Sequence, residues 1–166
     1  MDRLWSPWRS VYVEGATEAP ESECFLCTCA RVTVPSVDSL VVARFEHCYV
    51  VLNRFPYNAG HLLIAPNDHV GELQALAPAT THDMMAATQQ SINVLNRVIS
   101  PHGFNFGANL GRAAGAGVPD HIHWHLVPRW DGDTNFMPSV GETKVMSHAL
   151  ESLWSEIAAE FGQTPA

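Results

Sequence analysis

The sequence of 166 residues predicts an α+β fold with a mainly antiparallel sheet of five strands and two main helices. Two observations predict this fold class. Five short segments have the β-branched, aromatic or alternating composition of strands, and two longer segments repeat apolar residues at helical spacing. Their order is three strands, a helix, two strands and a helix. Strands that do not alternate one by one with helices favour an antiparallel sheet.

The first three predicted strands follow one another closely. Residues 40–44 and 48–52 are short segments rich in β-branched and aromatic residues. Residues 53–60 contain Pro, Asn and Gly and predict a loop, and residues 61–66 are the third predicted strand.

The first predicted helix begins near Thr80, because Thr80 followed three residues later by Asp83 resembles a capping box. Pro101 and Gly103 are expected to end it. One face repeats apolar or small side chains at helical spacing, which predicts a buried stripe of Met84, Thr88, Ile92, Leu95 and Ile99.

The remaining predicted elements are two strands and a helix. Residues 104–110 and 121–127 are the fourth and fifth strands. Gly162 is the expected C-cap of the last helix. The apolar stripe of that helix consists of Met146, Leu150, Leu153, Trp154, Ile157 and Phe161.

The composition indicates a packed globular protein and excludes several function classes. Hydrophobic residues make up 46% of the chain and charged residues 16%, which favours a folded domain. The formal net charge of -8 argues against nucleic acid as a partner, because binding nucleic acid requires a basic surface. No apolar run is long enough to span a membrane, and the N-terminus lacks the apolar segment of a secretory signal. We therefore expect a single-domain protein of the cytoplasm.

Residues 1–38 are expected to form an irregular N-terminal arm that carries a cysteine cluster. Its aromatic residues, Trp5, Trp8 and Tyr12, favour packing, either on a partner subunit or as an ordinary extension. Three of the four cysteines lie in this arm, at Cys24, Cys27 and Cys29, and the fourth, Cys48, is an expected core residue. A thioredoxin-type redox site requires a strand before the cysteine pair, and no strand signal precedes Cys24. Zinc is therefore the better interpretation of the cluster.

The most informative segment is His121-Ile122-His123-Trp124-His125-Leu126-Val127. In an extended strand successive side chains point to opposite faces, so the three histidines would share one face. Imidazole groups can act as nucleophiles, bases or metal ligands near neutral pH. The strict alternation with apolar residues distinguishes this run from a tag or a metal-storage tract.

This run and its neighbours resemble the histidine triad (HIT) superfamily. Leu52-Asn53-Arg54 and residues 60–66 look like the family's nucleotide-binding strands, and the likeness extends from about residue 24 to residue 130. Pro128-Arg129-Trp130, residues 131–136 and the N-terminal residues 4–9 are most similar to the fragile-histidine-triad and bacterial diadenosine tetraphosphate phosphorylase branch. The resemblance implies one HIT domain over residues 39–166. It also implies a homodimer of half-barrel sheets, with a nucleotide cleft in each subunit.

The resemblance implies that the middle histidine, His123, is the catalytic nucleophile. A neutral imidazole attacks phosphorus well when one ring nitrogen is free and the other donates to a fixed acceptor. His125 and His61 are expected beside the phosphate.

Nucleotide contacts follow from the same resemblance. Asn53 matches the ribose-binding position. Asn109, Gly111 and Gly117 belong to a Gly-rich segment whose backbone amides would approach phosphate oxygens, although a merely flexible loop is the alternative. Arg129 is the expected cationic contact.

Zinc-bearing members of the family imply a ligand set of Cys24, Cys27, His69 and His121. Four protein ligands make a closed, structural site. Cys29 is a rival for Cys27, and the alternative is that the cysteines bind no metal. Mg²⁺ bound with the substrate is a further expectation.

The resemblance implies an enzyme that cleaves dinucleoside polyphosphates, such as diadenosine tetraphosphate, through an AMP-histidine intermediate. Attack by inorganic phosphate would give ADP and ATP, and attack by water would give AMP and ATP. The branch favours phosphorolysis, for which Arg112, Arg129 and Lys144 are candidate phosphate-binding cations.

Three other functions stay open. A Hint-like adenosine phosphoramidase is weakened, because that branch has a hydroxyl residue just ahead of the triad where this chain has Val118-Pro119-Asp120. A non-catalytic nucleotide-binding module would not require a nucleophilic imidazole. A hydrolytic metalloenzyme would use all three triad histidines as ligands.

Overall fold

The computed structural model describes residues 24–134 and 149–163 of the protein. Five strands form one sheet: β1 (Val41–Arg44), β2 (Cys48–Leu52), β3 (Leu62–Pro66), β4 (Gly103–Ala108) and β5 (Trp124–Arg129). Three α-helices accompany them: α1 (Phe25–Ala30), α2 (Pro78–Ile99) and α3 (Leu150–Gln163). The predicted contacts of Trp5, Trp8, Tyr12 and Lys144 lie outside the described residues.

The strand order in the sheet is β1-β2-β3-β5-β4, and every neighbouring pair is antiparallel. The predicted fold class is therefore confirmed. The homodimer and its half-barrel stay predictions. Among the described residues, no helix is both long enough and apolar enough to cross a membrane.

One face of the sheet is the main core face. Leu52, Leu62 and Leu126 lie opposite one another across three strands and are at most 1% exposed. Burying each such side chain contributes roughly 1.5–3 kcal/mol. Helix α2 packs against β2 and β3, and α3 packs against β1 and α2.

The opposite face carries the histidine of β5. His125 lies opposite Leu63 of β3, and Leu63 lies opposite Val51 of β2, so these three side chains share this second face. Helix α1 adjoins β2 at this face, where the Tyr49 hydroxyl donates to the Leu26 carbonyl at 2.7 Å. The sheet thus separates a packed face from the face on which the imidazoles collect.

Two predicted helix caps are wrong. Helix α2 begins at Pro78 with Ala77 as its N-cap, two residues before Thr80, and proline suits the first helical position because its missing N–H needs no partner. The Asp83 carboxylate accepts from the His47 amide at 2.8 Å, so it holds the β1–β2 turn and caps no helix. Helix α3 runs through Gly162 to Gln163, so Gly162 is not its C-cap.

Two further boundaries differ from the expectation. The cysteine cluster lies at helix α1, with Cys24 as its N-cap and with Cys27 and Cys29 within it, inside the arm that was predicted to be irregular. Strand β5 begins at Trp124, so His121 and His123 precede it. The reason is that this segment bonds to the chain after β3, where the Ile122 amide donates to the Val70 carbonyl at 2.7 Å.

Candidate functional site

The three predicted catalytic histidines lie side by side. His61 immediately precedes β3, His125 is in β5 and His123 lies just before β5. The ring centroids of His61 and His125 are 5.2 Å apart, and those of His123 and His125 are 5.0 Å apart. His61 is fully buried and His123 is 7% exposed. The structure therefore forms one imidazole cluster from two neighbouring strands.

Two N–H donors fix the tautomer of His61. Its Nδ1 accepts from the Tyr57 amide at 3.0 Å and from Nδ2 of Asn53 at 3.2 Å. The Asn53 amide orientation is set in turn, because its Oδ1 accepts from the Phe55 amide at 3.0 Å. A nitrogen that accepts from two donors carries no proton, so neutral His61 is protonated at Nε2.

The position of the proton on His61 determines which ring nitrogen of His125 carries a proton. Nε2 of His61 donates to Nδ1 of His125 at 3.0 Å. Because Nδ1 of His125 is then an acceptor, neutral His125 carries its proton at Nε2. Nε2–H is therefore the group with which His125 can donate a hydrogen bond to an anionic oxygen.

His123 has the opposite arrangement. Its Nδ1 donates to the main-chain carbonyl of His121 at 2.9 Å, which leaves the lone pair at Nε2. Burial lowers the pKa of His123, although its bond to the His121 carbonyl acts against this. A neutral imidazole with a free Nε2 lone pair is the form that can attack phosphorus.

A second cluster joins the arm to the segment before β5. The ligand atoms of the cluster all lie within 4.8 Å of one another, and its members are the four predicted ligands, Cys24, Cys27, His69 and His121. Nδ1 of His121 is 3.5 Å from each of the two sulfurs, and Nδ1 of His69 is 3.1 Å from the Cys27 sulfur. Ordinary Zn–S and Zn–N bond lengths in a tetrahedron place sulfur and nitrogen about 3.6 Å apart, so the donor set fits zinc.

The orientation of His121 suits a metal ligand. Its Nε2 donates to the Pro66 carbonyl at 3.0 Å, which leaves Nδ1 for the metal. The segment after β3 can approach the segment before β5 closely because Gly71 has no side chain. An added Cβ at Gly71 would lie 2.7 Å from the Pro119 carbonyl oxygen. The described cluster takes only one triad histidine, so it gives no support to a metalloenzyme that uses all three.

The other two cysteines lie apart from this cluster. The Cys29 thiol points to the Ser39 carbonyl at 3.9 Å, and Cys48 is fully buried in the core. Burial raises the pKa of Cys29, and it raises the pKa of Cys48 to about 12. Both therefore remain neutral thiols, and Cys29 is not placed to replace Cys27.

Four of the predicted nucleotide contacts lie at two places. Asn53 lies beside His61, which it orients. Asn109 and Gly111 begin the loop before the triad, where Nδ2 of Asn109 donates to the Gly115 carbonyl at 3.3 Å, and Gly117 is half-buried further along. Gly111 has a φ of 80°, which glycine adopts without strain.

The fifth predicted contact, Arg129, is paired with an acidic residue. At the end of β5, its Nε and Nη2 donate to the two carboxylate oxygens of Asp133 at 2.6 and 2.9 Å. Its Nη1 donates to Oδ1 of Asn105 in β4 at 2.7 Å. The guanidinium thus forms a bidentate ion pair with the Asp133 carboxylate. The role of Arg129 as a nucleotide contact stays a prediction.

Sequence reasoning missed Tyr57. Besides its amide bond to His61, its ring stacks on that of His61, with centroids 4.8 Å apart, and lies 5.8 Å from that of His125. The proline and glycine around it predict a turn but do not indicate which amide faces a histidine. Only the folded arrangement reveals this contact.

Fold and site together define an α+β protein with clustered imidazoles on one sheet. The HIT domain family matches residues 34–132. A curated relative, the AP-4-A phosphorylase of Mycobacterium tuberculosis, is 38% identical over 169 residues, which cover 99% of this chain and 87% of the relative. The chain belongs to the HIT domain family.

Two further comparisons agree with this family. The asymmetrical bis(5'-nucleosyl)-tetraphosphatase of Schizosaccharomyces pombe is 32% identical over 97 residues, which cover 58% of this chain and 53% of that protein. The crystal structure of a Zn-bound histidine triad family protein from Mycobacterium smegmatis matches with a TM-score of 0.67 and 25% identity. The match covers 85% of this chain and 94% of that one.

Proposed function

We propose that this protein is an enzyme that cleaves dinucleoside polyphosphates, with diadenosine tetraphosphate as the expected substrate, by phosphorolysis to ADP and ATP. One observation carries the proposal. A lone pair at Nε2 of His123 and a proton at Nε2 of His125 are assigned to two rings whose centroids are 5.0 Å apart. A nucleophile beside a hydrogen-bond donor that stabilises the departing oxygen is what displacement at phosphorus requires.

The proposed reaction has two steps. Nε2 of His123 attacks the α-phosphorus, the bond from that phosphorus to the bridging oxygen breaks, and its electron pair leaves with ATP. The Nε2–H group of His125 donates a hydrogen bond to the departing oxygen or to a neighbouring phosphate oxygen and keeps its proton, so that ATP leaves as an anion. His123 now carries AMP, and its Nδ1–H stays on the His121 carbonyl. An oxygen of inorganic phosphate then attacks the same phosphorus, and the bond from that phosphorus to Nε2 of His123 breaks. The electron pair of this bond returns to His123, and ADP leaves.

The loop before the triad is the proposed phosphate site. The amides of Ala114, Gly115 and Ala116 donate to carbonyls inside the loop, so the phosphate contact falls to the residues around Asn109, Gly111 and Gly117. Arg112 is exposed in this loop and can supply a positive charge to the incoming phosphate. We propose Asn53 as a ribose contact as well as a partner of His61.

The metal cluster has a separate, structural role in this proposal. Cys24, Cys27, His69 and His121 would hold one zinc ion and thereby tie helix α1 to the segment before β5. When bound, zinc would supply a cross-link between segments that are far apart in the chain. With four protein ligands the site is closed, and no step of the reaction uses it.

Product analysis tests the proposed reaction. Purified protein is incubated with diadenosine tetraphosphate, with and without inorganic phosphate, and the nucleotides are separated by chromatography. We expect ADP and ATP only when phosphate is present, as the likeness to the mycobacterial phosphorylase favours. AMP and ATP in either condition would make the protein a hydrolase, in line with the fission yeast tetraphosphatase. Intact substrate would contradict both.

Replacing His125 with alanine tests its role as a hydrogen-bond donor to the leaving group. We expect kcat for diadenosine tetraphosphate to fall roughly 100-fold or more, which is the usual cost of removing one donor to developing charge. The loss should shrink for an AMP ester of an acidic phenol, because the charge on such a leaving group needs less stabilisation. An equal loss on both substrates would show that His125 does not stabilise the departing oxygen.

A further inference from the structure

We propose that Asp133 is a positioning residue, whose carboxylate holds the turn of residues 56–60 and thereby the orientation of His61. The inference rests on the proposed function, because the orientation of His61 matters to the reaction through the proton of His125. Nothing in the sequence connects Asp133 to His61, because the two residues lie far apart in the chain.

The carboxylate of Asp133 accepts five hydrogen bonds. Its Oδ2 accepts from Nε of Arg129 at 2.6 Å, from Nδ2 of Asn58 at 2.8 Å and from the Trp130 amide at 3.2 Å. Its Oδ1 accepts from Nη2 of Arg129 at 2.9 Å and from the Thr134 hydroxyl at 3.3 Å. The side chain is 10% exposed, and the hydrogen bonds from Arg129 hold the pKa of this carboxyl well below its usual range. Asp133 is therefore a charged and geometrically defined anchor.

Asn58 is the link from this anchor to the turn. The same side-chain nitrogen that donates to Asp133 also donates to the Pro128 carbonyl at 3.0 Å. Asn58 is therefore fastened both to the end of β5 and to the residue that neutralises Arg129. Nη1 of Arg129 extends the network to Asn105 of β4. A side chain in the turn is thus fixed to two strands of the sheet.

The backbone of the same turn holds the main chain and the imidazole ring of His61. The Asn58 carbonyl accepts from the His61 amide at 3.1 Å, and the neighbouring Tyr57 amide donates to Nδ1 of His61 at 3.0 Å. On its far side the turn is closed by Gly60, which has a φ of 72° and where a Cβ would lie 2.6 Å from Cδ1 of Ile99. Releasing Asn58 would free the Tyr57 amide to move. Nδ1 of His61 would then lose one of the two donors that keep the proton of His61 on Nε2.

The test combines a spectroscopic and a kinetic measurement on Asp133→Ala. Imidazole nitrogen-15 NMR reports directly which ring nitrogen of His61 and His125 carries the proton. We expect one Nε2–H tautomer in the wild type and a mixture in the variant. We also expect kcat for diadenosine tetraphosphate to fall about 10- to 100-fold, with KM changed less than about threefold, because misplacement of a catalytic group costs rate.

A matched control separates positioning from general stability. Glu160→Ala removes a different ion pair, with Arg97, which joins α3 to α2 away from the histidines. It should leave the His61 tautomer and kcat unchanged. Asn58→Ala should reproduce the Asp133→Ala effects. The double variant should be no worse than the more damaged single one, because both act through one contact.

Several outcomes would overturn the inference. One is an unchanged His61 tautomer with kcat within about twofold of the wild type. A raised KM at constant kcat would assign the Asp133–Arg129 pair to substrate binding. Should Asp133→Ala fail to fold, Asp133→Asn keeps the volume and one acceptor and must still shift the tautomer population. The NMR readout needs no turnover, so it tests Asp133 even if the proposed reaction is wrong.

Discussion

Replacing His123 with alanine is expected to abolish turnover of diadenosine tetraphosphate while the protein stays folded and still binds nucleotide. The other contacts of the cluster, from His61 to His125, do not involve His123, so the fold around them should persist. Loss of the nucleophile removes the covalent route altogether, and we expect a decrease in kcat of at least roughly 1000-fold. The measurement is steady-state kinetics together with a nucleotide-binding titration.

A direct search for the intermediate strengthens this test. The wild type, mixed rapidly with substrate without inorganic phosphate, should gain the mass of one adenylyl group, and the variant should not. His82→Ala is the matched control, because His82 is exposed on α2 and lies outside the cluster. Turnover above a few per cent in the His123 variant, or an adenylyl group mapped to another residue, would refute the assignment.

The sheet could be predicted because the residues of each strand have the composition or alternation typical of a strand. Residues 48–52 were predicted with the bounds that β2 has, and the order of the five strands and the two main helices was predicted from composition and apolar spacing. The ends of elements were harder, because they depend on distant partners. Asp83 looks like the acidic residue of a capping box in the sequence, but its Oδ2 accepts from the His47 amide. Strand β5 starts late because Ile122 bonds to Val70 and not to β3.

The candidate site could likewise be predicted only in part. The alternating histidines and the cysteine pair are visible as patterns, and the structure brings the predicted residues into two clusters. The division of labour within the triad is not visible as a pattern. A regular strand would place the three histidines alike, whereas here His121 joins the cysteines and its carbonyl orients His123.

Contacts made by backbone amides and by distant carboxylates could not be predicted. Tyr57 acts on His61 through an N–H that every residue but proline has, so its residue type gives no signal. Asp133 and Asn58 are 75 positions apart, and their contact exists only after β5 and the turn have folded together. Such residues set the protonation of the imidazoles, and they emerge only from the three-dimensional arrangement.

Removing the metal is expected to produce the largest change in stability. In the proposed zinc site, two cysteines and two histidines would join α1 to the segments that follow β3 and precede β5. Chelation, or Cys24→Ala, should lower the free energy of unfolding by at least about 3 kcal/mol, or roughly 6–12 °C in Tm for a protein of this size. The measurements are metal content and thermal unfolding, with and without chelator.

The decisive comparison is between the chelator and the variants. In Cys24→Ala the chelator should no longer change Tm, because the metal is already lost. Cys29→Ala should keep one bound metal and the full response to chelator, since its thiol lies outside the cluster. An unchanged Tm after confirmed metal removal would exclude a structural metal. Activity alone cannot decide this point, because His121 belongs to the metal cluster and also holds Nδ1 of His123, so stability and metal content must carry the test.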